Sequence, residues 1–217
     1  MKFSELEAHF EAHREEIEHR MEQFRSLRDA SDERWFQELS FVLLSSQSSA
    51  REAWKAAAKI SELDSVKGPE DVLNVVKRFD LQYGEKKSEQ LVDVRRELSQ
   101  PTLNNPDGGL DISARLELNQ PEKARKWMAD SLPGIGLKGA SHFLRNVGHG
   151  EDLGIASRHT LSSLRSLGVI DLDRPPGNLE EYLEMEEEMR KIGERLGTCT
   201  GAVDLALWSK ETGEVFR

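Results

Sequence analysis

The 217-residue sequence has a single cysteine, Cys199, and no apolar run that approaches the ~18 residues of a membrane span. One cysteine excludes an internal disulfide and any metal cluster held by several cysteines. Residues 1–7 lack the basic and then apolar pattern of a signal peptide. We therefore expect a protein of the reducing cytoplasm that makes no membrane contact.

Positive charge is also scarce, since 40 acidic residues outnumber 30 basic ones and the net charge is −10. This balance argues against a nucleic-acid partner, because phosphate contacts require lysine and arginine. The stretch 138–165 is an exception, with four basic residues against two acidic ones, an excess of +2. An acidic protein with this distribution can still present one basic face.

Alternating patterns that would predict β-strands are missing, and helical periodicity dominates the sequence. Apolar residues between Phe3 and Leu27 recur at spacings of three, four and seven, which predicts a first helix. Asp32 is predicted as the N-cap of a second helix, and Pro69 as an early residue of a fourth. Further helices are predicted at Ala50–Leu63, Lys86–Leu98, Pro121–Leu132, on both sides of Asn146–Ala156, at Asn178–Leu196 and at Ala202–Lys210, with a loop over Gln100–Gly109. The predicted fold class is all-α.

The turn at residues 132–136 reads LPGIG and is typical of a helix-hairpin-helix motif. Gly134 and Gly136 allow positive φ angles and a close approach of the backbone to a ligand. The next helix is predicted to begin near Leu137, so its free amide groups suit a phosphate. Backbone carbonyls of such a hairpin can also hold a structural cation, and we expect no other metal or cofactor. An ordinary turn between helices is the alternative interpretation.

Lys138 is predicted in the first turn of that helix. The positive end of the helix dipole and nearby basic residues disfavour a charged ammonium there. A neutral lysine amine is a nucleophile that can form a Schiff base. Taken alone, the residue fits better with a lysine that contacts only solvent or phosphate.

Two adjacent segments, GIGLKGASHFLRNVG (Gly134–Gly148) and IASRHTL (Ile155–Leu161), resemble the compact 8-oxoguanine DNA glycosylase/AP lyases of the helix-hairpin-helix superfamily. The likeness keeps its order over WFQELSFVLLSSQSSA, LQYGEKKSEQLVDVRREL, EYLEMEEEMRKIGERL and VDLALWSKETGEVFR. It implies one module of two helical lobes with a central cleft for DNA. One lobe would comprise about 33–120, and the other about 1–32 with 121–217, including the hairpin 132–138.

The resemblance implies a monomeric, nucleoid-associated repair enzyme whose partner is double-stranded DNA with an oxidised guanine. The damaged base would leave the stack and enter a pocket. The amine of Lys138 would then attack the sugar C1′, release the base and lead to strand cleavage by β-elimination. The base pocket falls on Trp208, on Tyr83 where the family usually has phenylalanine, on Arg217 in place of the usual lysine, and on Gln47. Contacts to the DNA backbone are expected from Gly134 and Gly136. Arg145, Arg158 and His159 are expected to contact the DNA backbone or to structure the cleft.

Plain packing or helix capping is the alternative for Trp208, Tyr83 and Gln47. Ser157 departs from the family, because it stands where the catalytic aspartate belongs, and a hydroxyl carries no charge. Ser157 also suits the N-cap of a helix that begins near Arg158. Three explanations fit the serine at this position: an inactivated variant, a natural enzyme with weak or altered chemistry, or a protein that binds lesions without excising them. Two other classes remain open: a non-catalytic helix-hairpin-helix DNA-binding protein, and a helical scaffold that binds proteins through its acidic faces.

Overall fold

A computed structural model describes residues 1–63, 68–103 and 105–217. These residues form α-helices and two short 3-10 turns with no β-strand among them, which confirms the all-α class. Within this part of the chain, none of the helices is long and apolar enough to cross a membrane. The helices are α1 (Phe3–Arg25), α2 (Asp32–Ser45), α3 (Ala50–Ser61), α4 (Pro69–Val76), α5 (Gly84–Leu98), α6 (Pro121–Ser131), α7 (Leu137–Asn146), α8 (Arg158–Leu167), α9 (Leu179–Leu196) and α10 (Thr200–Thr212).

The chain divides into two compact units. Unit 1 consists of Met1–Arg28 and Leu144–Arg217, and unit 2 consists of Asp29–Phe143. The second boundary lies within α7, later than the predicted boundary at residue 121. Residues 121–143, which include the hairpin, group with unit 2 and not with the two ends of the chain.

Packing of α7 against α2 explains this difference from the prediction. The ring of Phe143 meets that of Trp35 edge-on, with 6.1 Å between the centroids. The ring of His142 lies 5.5 Å from that of Phe41, also edge-on. Since Trp35 and Phe41 are buried residues of α2, these contacts keep the first turns of α7 in unit 2.

Unit 1 is built around α10, which packs against α1, α8 and α9. Residues 200–207 and Ser209 of this helix are buried, so α10 is enclosed over most of its surface. The apolar stripe of α1 is confirmed, and its buried residues are Leu6, Phe10, Ile17, Met21 and Phe24. The last turns of α10 lead to the partly buried C-terminal segment, residues 214–217.

In unit 2 the predicted N-cap Asp32 is wrong by one residue. The N-cap of α2 is Ser31, whose Oγ accepts a hydrogen bond from the backbone amide of Arg34 at 3.3 Å. The carboxylate of Asp32 is occupied elsewhere, because its Oδ1 accepts the amides of Ile112 and Ser113 at 3.0 and 2.9 Å.

For the other helices, each end for which the sequence predicted a residue number lies within two residues of the observed end. Pro69 is the first residue of α4, as predicted. The predicted loop contains no helix in residues 100–103 and 105–109. Its remaining residue, Asn104, lies outside the described residues.

Candidate active site

The hairpin connects α6 to α7 through residues 132–136, and its two glycines play different parts. Gly134 has a φ of +80°, and a Cβ placed on it would lie 2.6 Å from the side chain of Gln90. Gly136 has no positive φ, and a Cβ there would meet no described atom within 4 Å. The predicted need for conformational freedom is therefore confirmed at Gly134 only.

Lys138 is an exposed residue in the first turn of α7. The helical hydrogen bonds begin here, since the amide of Ala140 donates to the carbonyl of Gly136 at 2.9 Å. The amides that precede Ala140 in the helix point beyond the helix end, where they favour an anion. Lys138 is thus accessible from solvent at this helix end, which a lysine inside the core would not be.

Ser157 is the N-cap of α8, as predicted. Its Oγ accepts a hydrogen bond from the backbone amide of Thr160 at 3.1 Å. The same Oγ lies 2.7 Å from the hydroxyl oxygen of Thr160, so the two hydroxyl groups also share a hydrogen bond. Two hydrogen bonds to Thr160 thus fix the hydroxyl of Ser157 at the start of α8.

A buried carboxylate decides the direction of that shared hydrogen bond. The hydroxyl of Thr160 donates to Oδ1 of Asp204 at 2.8 Å, and Oδ2 of Asp204 accepts from Nη1 of Arg145 at 2.7 Å. A carboxylate paired with a guanidinium accepts hydrogen bonds only. Because the hydrogen of Thr160 goes to Asp204, Ser157 must donate its own hydrogen to Thr160. A lone pair of Ser157 is left to accept a further hydrogen bond, but the residue is poorly placed to take up a proton.

The prediction that Arg145 contacts the DNA backbone is wrong. Its side chain is fully buried and pairs with Asp204, while Nε and Nη2 donate to Oδ1 of Asn146 at 3.2 and 3.0 Å. The guanidinium also lies over the ring of Phe24, 4.9 Å from its centroid. A phosphate cannot reach this group, so Arg145 fixes the base of α10 to the end of α7. The basic excess of residues 138–165 on the surface is correspondingly smaller.

Trp208, the predicted base-stacking residue, is partly buried near the end of α10. Its ring packs edge-on against that of His159, with 6.4 Å between centroids and 85° between planes. On another side it meets Phe216 at 6.4 Å and 31°. The structure therefore brings together two predicted residues, Trp208 and His159, and adds Phe216, which the sequence reasoning missed. The sequence feature that could have indicated Phe216 is an aromatic residue in the polar segment after the last helix.

Two further predicted residues flank this cluster in unit 1. Arg158, the first residue of α8, is exposed. The guanidinium of the C-terminal Arg217 lies over the ring of Phe24, 5.6 Å from its centroid. This contact places the chain end beside α1, and the predicted reach of Arg217 into a base pocket stays a prediction.

In unit 2, Gln47 and Tyr83 share an unusual backbone conformation. Their φ angles are 54° and 57°, in the left-handed region that non-glycine residues avoid at a cost of about 1–2 kcal/mol each. Gln47 lies between α2 and α3 and is exposed, and Tyr83 is the N-cap of α5 with 62% of its surface exposed. Strain of this kind concentrates at ligand-binding positions, which is where both residues were predicted.

The described residues contain no group of three or more histidine, cysteine, aspartate or glutamate side chains placed to hold a metal ion. Carbonyl groups of the hairpin 132–136 are the remaining candidates for a cation, and that site stays a prediction.

A family model described as 8-oxoguanine DNA glycosylase matches residues 17–198 of this chain. The chain belongs to this family. Among its relatives, the 8-oxoguanine DNA glycosylase/AP lyase of Fusobacterium nucleatum is 32% identical, over 99% of this chain and 97% of the relative. The protein of the same name from Methanocaldococcus jannaschii is 31% identical, over 93% of this chain and 91% of its own length.

Solved structures of the 8-oxoguanine DNA glycosylase family agree with the fold. The M. jannaschii glycosylase/lyase in complex with a 15mer DNA containing 8-oxoguanine matches with a TM-score of 0.82 and 29% identity, covering 98% of this chain and 99% of that one. The Thermotoga maritima glycosylase matches with a TM-score of 0.82 and 31% identity, covering 99% and 98%. The predicted helix-hairpin-helix glycosylase fold is confirmed.

Proposed function

We propose that this chain is a bifunctional base-excision repair enzyme, which removes 8-oxoguanine from double-stranded DNA and cleaves the resulting abasic site. Membership of the 8-oxoguanine DNA glycosylase family over residues 17–198 carries this proposal. The exposure of Lys138 beside the hairpin supports it, because a Schiff-base enzyme requires an accessible lysine.

Lys138 is the nucleophile of the proposed reaction. Its neutral amine attacks C1′ of the damaged nucleotide, and the bond to the base breaks as the base leaves with the bonding electrons and takes up a proton. The sugar ring opens to a Schiff base on the lysine nitrogen. Loss of a proton from C2′ then expels the 3′ phosphate by β-elimination, and water releases the enzyme. The hairpin amides at Gly134 and Gly136 hold a backbone phosphate meanwhile.

Ser157 takes the place of the family carboxylate in this scheme. Its own hydrogen stays on Thr160, so it offers the reaction only a lone pair. It supplies no negative charge against the positive charge that develops on the sugar. We therefore expect slower base release than a carboxylate gives.

The remaining predicted residues bind DNA in this proposal. Trp208 and Tyr83 offer aromatic surfaces to the extruded base, a contact that contributes about 1–3 kcal/mol per base. Gln47 and Arg217 contact the base edge, and Arg158 and His159 contact the backbone. The enzyme acts as a monomer in the cytoplasm at the nucleoid, with no cofactor other than a cation on the hairpin carbonyls.

Incubation of the native protein with a duplex containing one 8-oxoguanine tests the proposal. We expect base release and strand cleavage, both lost in Lys138→Gln, which removes the nucleophile but keeps a polar side chain. Lys123→Gln, at an exposed lysine of α6, is the matched control and should cleave like the native protein. DNA binding by Lys138→Gln should persist at ~50 mM salt, where phosphate contacts are strong.

A non-catalytic protein that binds DNA or its lesions is the second candidate, favoured by the uncharged Ser157. Salt-sensitive binding by the native protein with neither base release nor cleavage would support this candidate and contradict the enzyme. A lack of any DNA binding at ~50 mM salt would contradict both and leave a protein-binding scaffold.

A further inference from the structure

Lys87 of α5 is a buried lysine, with only 4% of its surface exposed. Its ammonium group donates to three oxygen atoms: the carbonyls of Leu44 and Ser46 at 2.8 and 2.6 Å, and Oγ of Ser48 at 2.9 Å. All three acceptors are neutral. An apolar side chain would fill this position of the helix without the cost of burying a charge, so the lysine needs another explanation.

The position of these acceptors indicates what the lysine does. The carbonyls of Leu44 and Ser46 lie at the C-terminal end of α2, where carbonyl groups lack helical partners and a cation is favoured. Oγ of Ser48 accepts a second hydrogen bond, from the backbone amide of Gln82 at 3.0 Å. Lys87 and Ser48 together therefore tie the segment 46–48 to the segment that precedes α5.

Gln47 in the first tied segment and Tyr83 in the second are exposed residues in the left-handed conformation, which Asp80 also adopts. Gln47 lies between two residues that Lys87 binds, Ser46 and Ser48. Tyr83 follows Gln82, and its carbonyl accepts the backbone amide of Lys87 at 3.0 Å. Such backbone conformations persist only where surrounding contacts hold them in place. Here hydrogen bonds hold the chain on both sides of Gln47 and of Tyr83.

We propose that Lys87 is a positioning residue for recognition of the damaged base, which fixes Gln47 and Tyr83 by tying their two segments together through Ser48. This inference rests on the proposed function, because it assumes that Gln47 and Tyr83 meet the extruded base. Lys87 itself touches neither DNA nor base.

The test compares Lys87→Met with Ser48→Ala, a milder change that removes only the shared oxygen. Lys86→Met, at the exposed neighbouring lysine, is the matched control. Two quantities are measured: hydrogen exchange at the amide of Gln82, and the ratio of dissociation constants for an undamaged duplex and a duplex containing 8-oxoguanine. Binding needs no turnover, so a slow enzyme does not obscure the result.

We expect faster exchange at Gln82 in Lys87→Met and Ser48→Ala, and a binding ratio reduced by about 5–150-fold, the worth of one aromatic stack on a base. In the double variant the binding ratio should fall no further than in the more affected single variant, since both changes break the same set of hydrogen bonds. Binding to the undamaged duplex should stay as in the native protein, which separates this role from general destabilisation.

Three results would count against the inference, and they are distinguishable. Equal binding of both duplexes by the native protein contradicts the proposed function and the inference with it. Selective native binding that neither variant weakens contradicts the inference alone. Parallel loss of binding to both duplexes assigns Lys87 and Ser48 a purely structural role.

Discussion

Replacing Ser157 by aspartate introduces the carboxylate that the family resemblance predicts at this position, and the fold should accept it. Aspartate is as good an N-cap as serine, so the hydrogen bond that Ser157 accepts from the amide of Thr160 at 3.1 Å can be kept. A negative charge at the start of α8 also gains about 0.3–1 kcal/mol from the helix dipole. An aspartate cannot donate the hydrogen bond that Ser157 gives to Thr160, a loss of about 0.5–1.5 kcal/mol. We expect Ser157→Asp to change the free energy of unfolding by no more than about 2 kcal/mol.

The effect on catalysis should be much larger than the effect on stability. In the native protein the hydroxyl hydrogen of Ser157 is committed to Thr160, so the residue offers only a lone pair to the reaction. A positioned acid or base contributes about 10²–10⁴-fold to a rate. At about 1.36 kcal/mol per tenfold, this corresponds to lowering the barrier by about 3–5 kcal/mol.

Single-turnover excision of 8-oxoguanine, with enzyme in excess over duplex, measures this rate without product release. Ser157→Asn is the matched control, because asparagine also caps a helix but carries no charge, and it should excise no faster than the native protein. A Ser157→Asp protein that folds, binds the duplex and excises at the native rate would refute the reasoning. Some other group would then stabilise the charge on the sugar.

Three further predictions concern residues that the structure places. Asp204→Ala leaves the buried guanidinium of Arg145 without its carboxylate and should lower the free energy of unfolding, measured in urea, by about 3–5 kcal/mol. A decrease of less than about 1 kcal/mol would contradict the buried ion pair. Burial lowers the pKa of Lys87 from 10.5 to about 8, so between these values the unfolded chain binds more protons. The free energy of unfolding should therefore rise with pH over this window in the native protein, relative to Lys87→Met. Parallel plots of unfolding free energy against pH for the two proteins would contradict the lowered pKa of Lys87. Trp208→Ala should weaken binding of the 8-oxoguanine duplex by about 1–3 kcal/mol in fluorescence anisotropy and leave the undamaged duplex unaffected; equal losses would argue for packing alone.

Local signals predicted most of the fold. The apolar spacing of α1, the proline that starts α4 and the serine that caps α8 each act within a few residues of sequence. The error at Asp32 has a long-range cause, since its carboxylate binds the amides of Ile112 and Ser113, about eighty positions away. A propensity rule that sees neighbours alone cannot anticipate such a partner.

The position of Lys138 in the first turn of a helix was predictable from the sequence, and the burial of Arg145 was not. Lys138 is exposed at a helix start, as the hairpin motif indicates. Arg145 was misjudged because a count of charges does not reveal that Asp204, 59 positions later, neutralises it inside the core. A lone acidic residue within the apolar stretch GAVDLALW was the available signal for that pair. Lys87 gave a similar signal, because it lies four residues before the buried Leu91 on the inner face of α5.

The central claim is that the amine of Lys138 forms a covalent bond to the sugar of a damaged nucleotide. Borohydride reduction during turnover of an 8-oxoguanine duplex, followed by proteolysis and mass spectrometry, tests it directly. The account predicts a protein–DNA adduct on the peptide that contains Lys138, absent in Lys138→Gln and present in Lys123→Gln. An adduct on another residue, or base release without any trapped adduct, would contradict it.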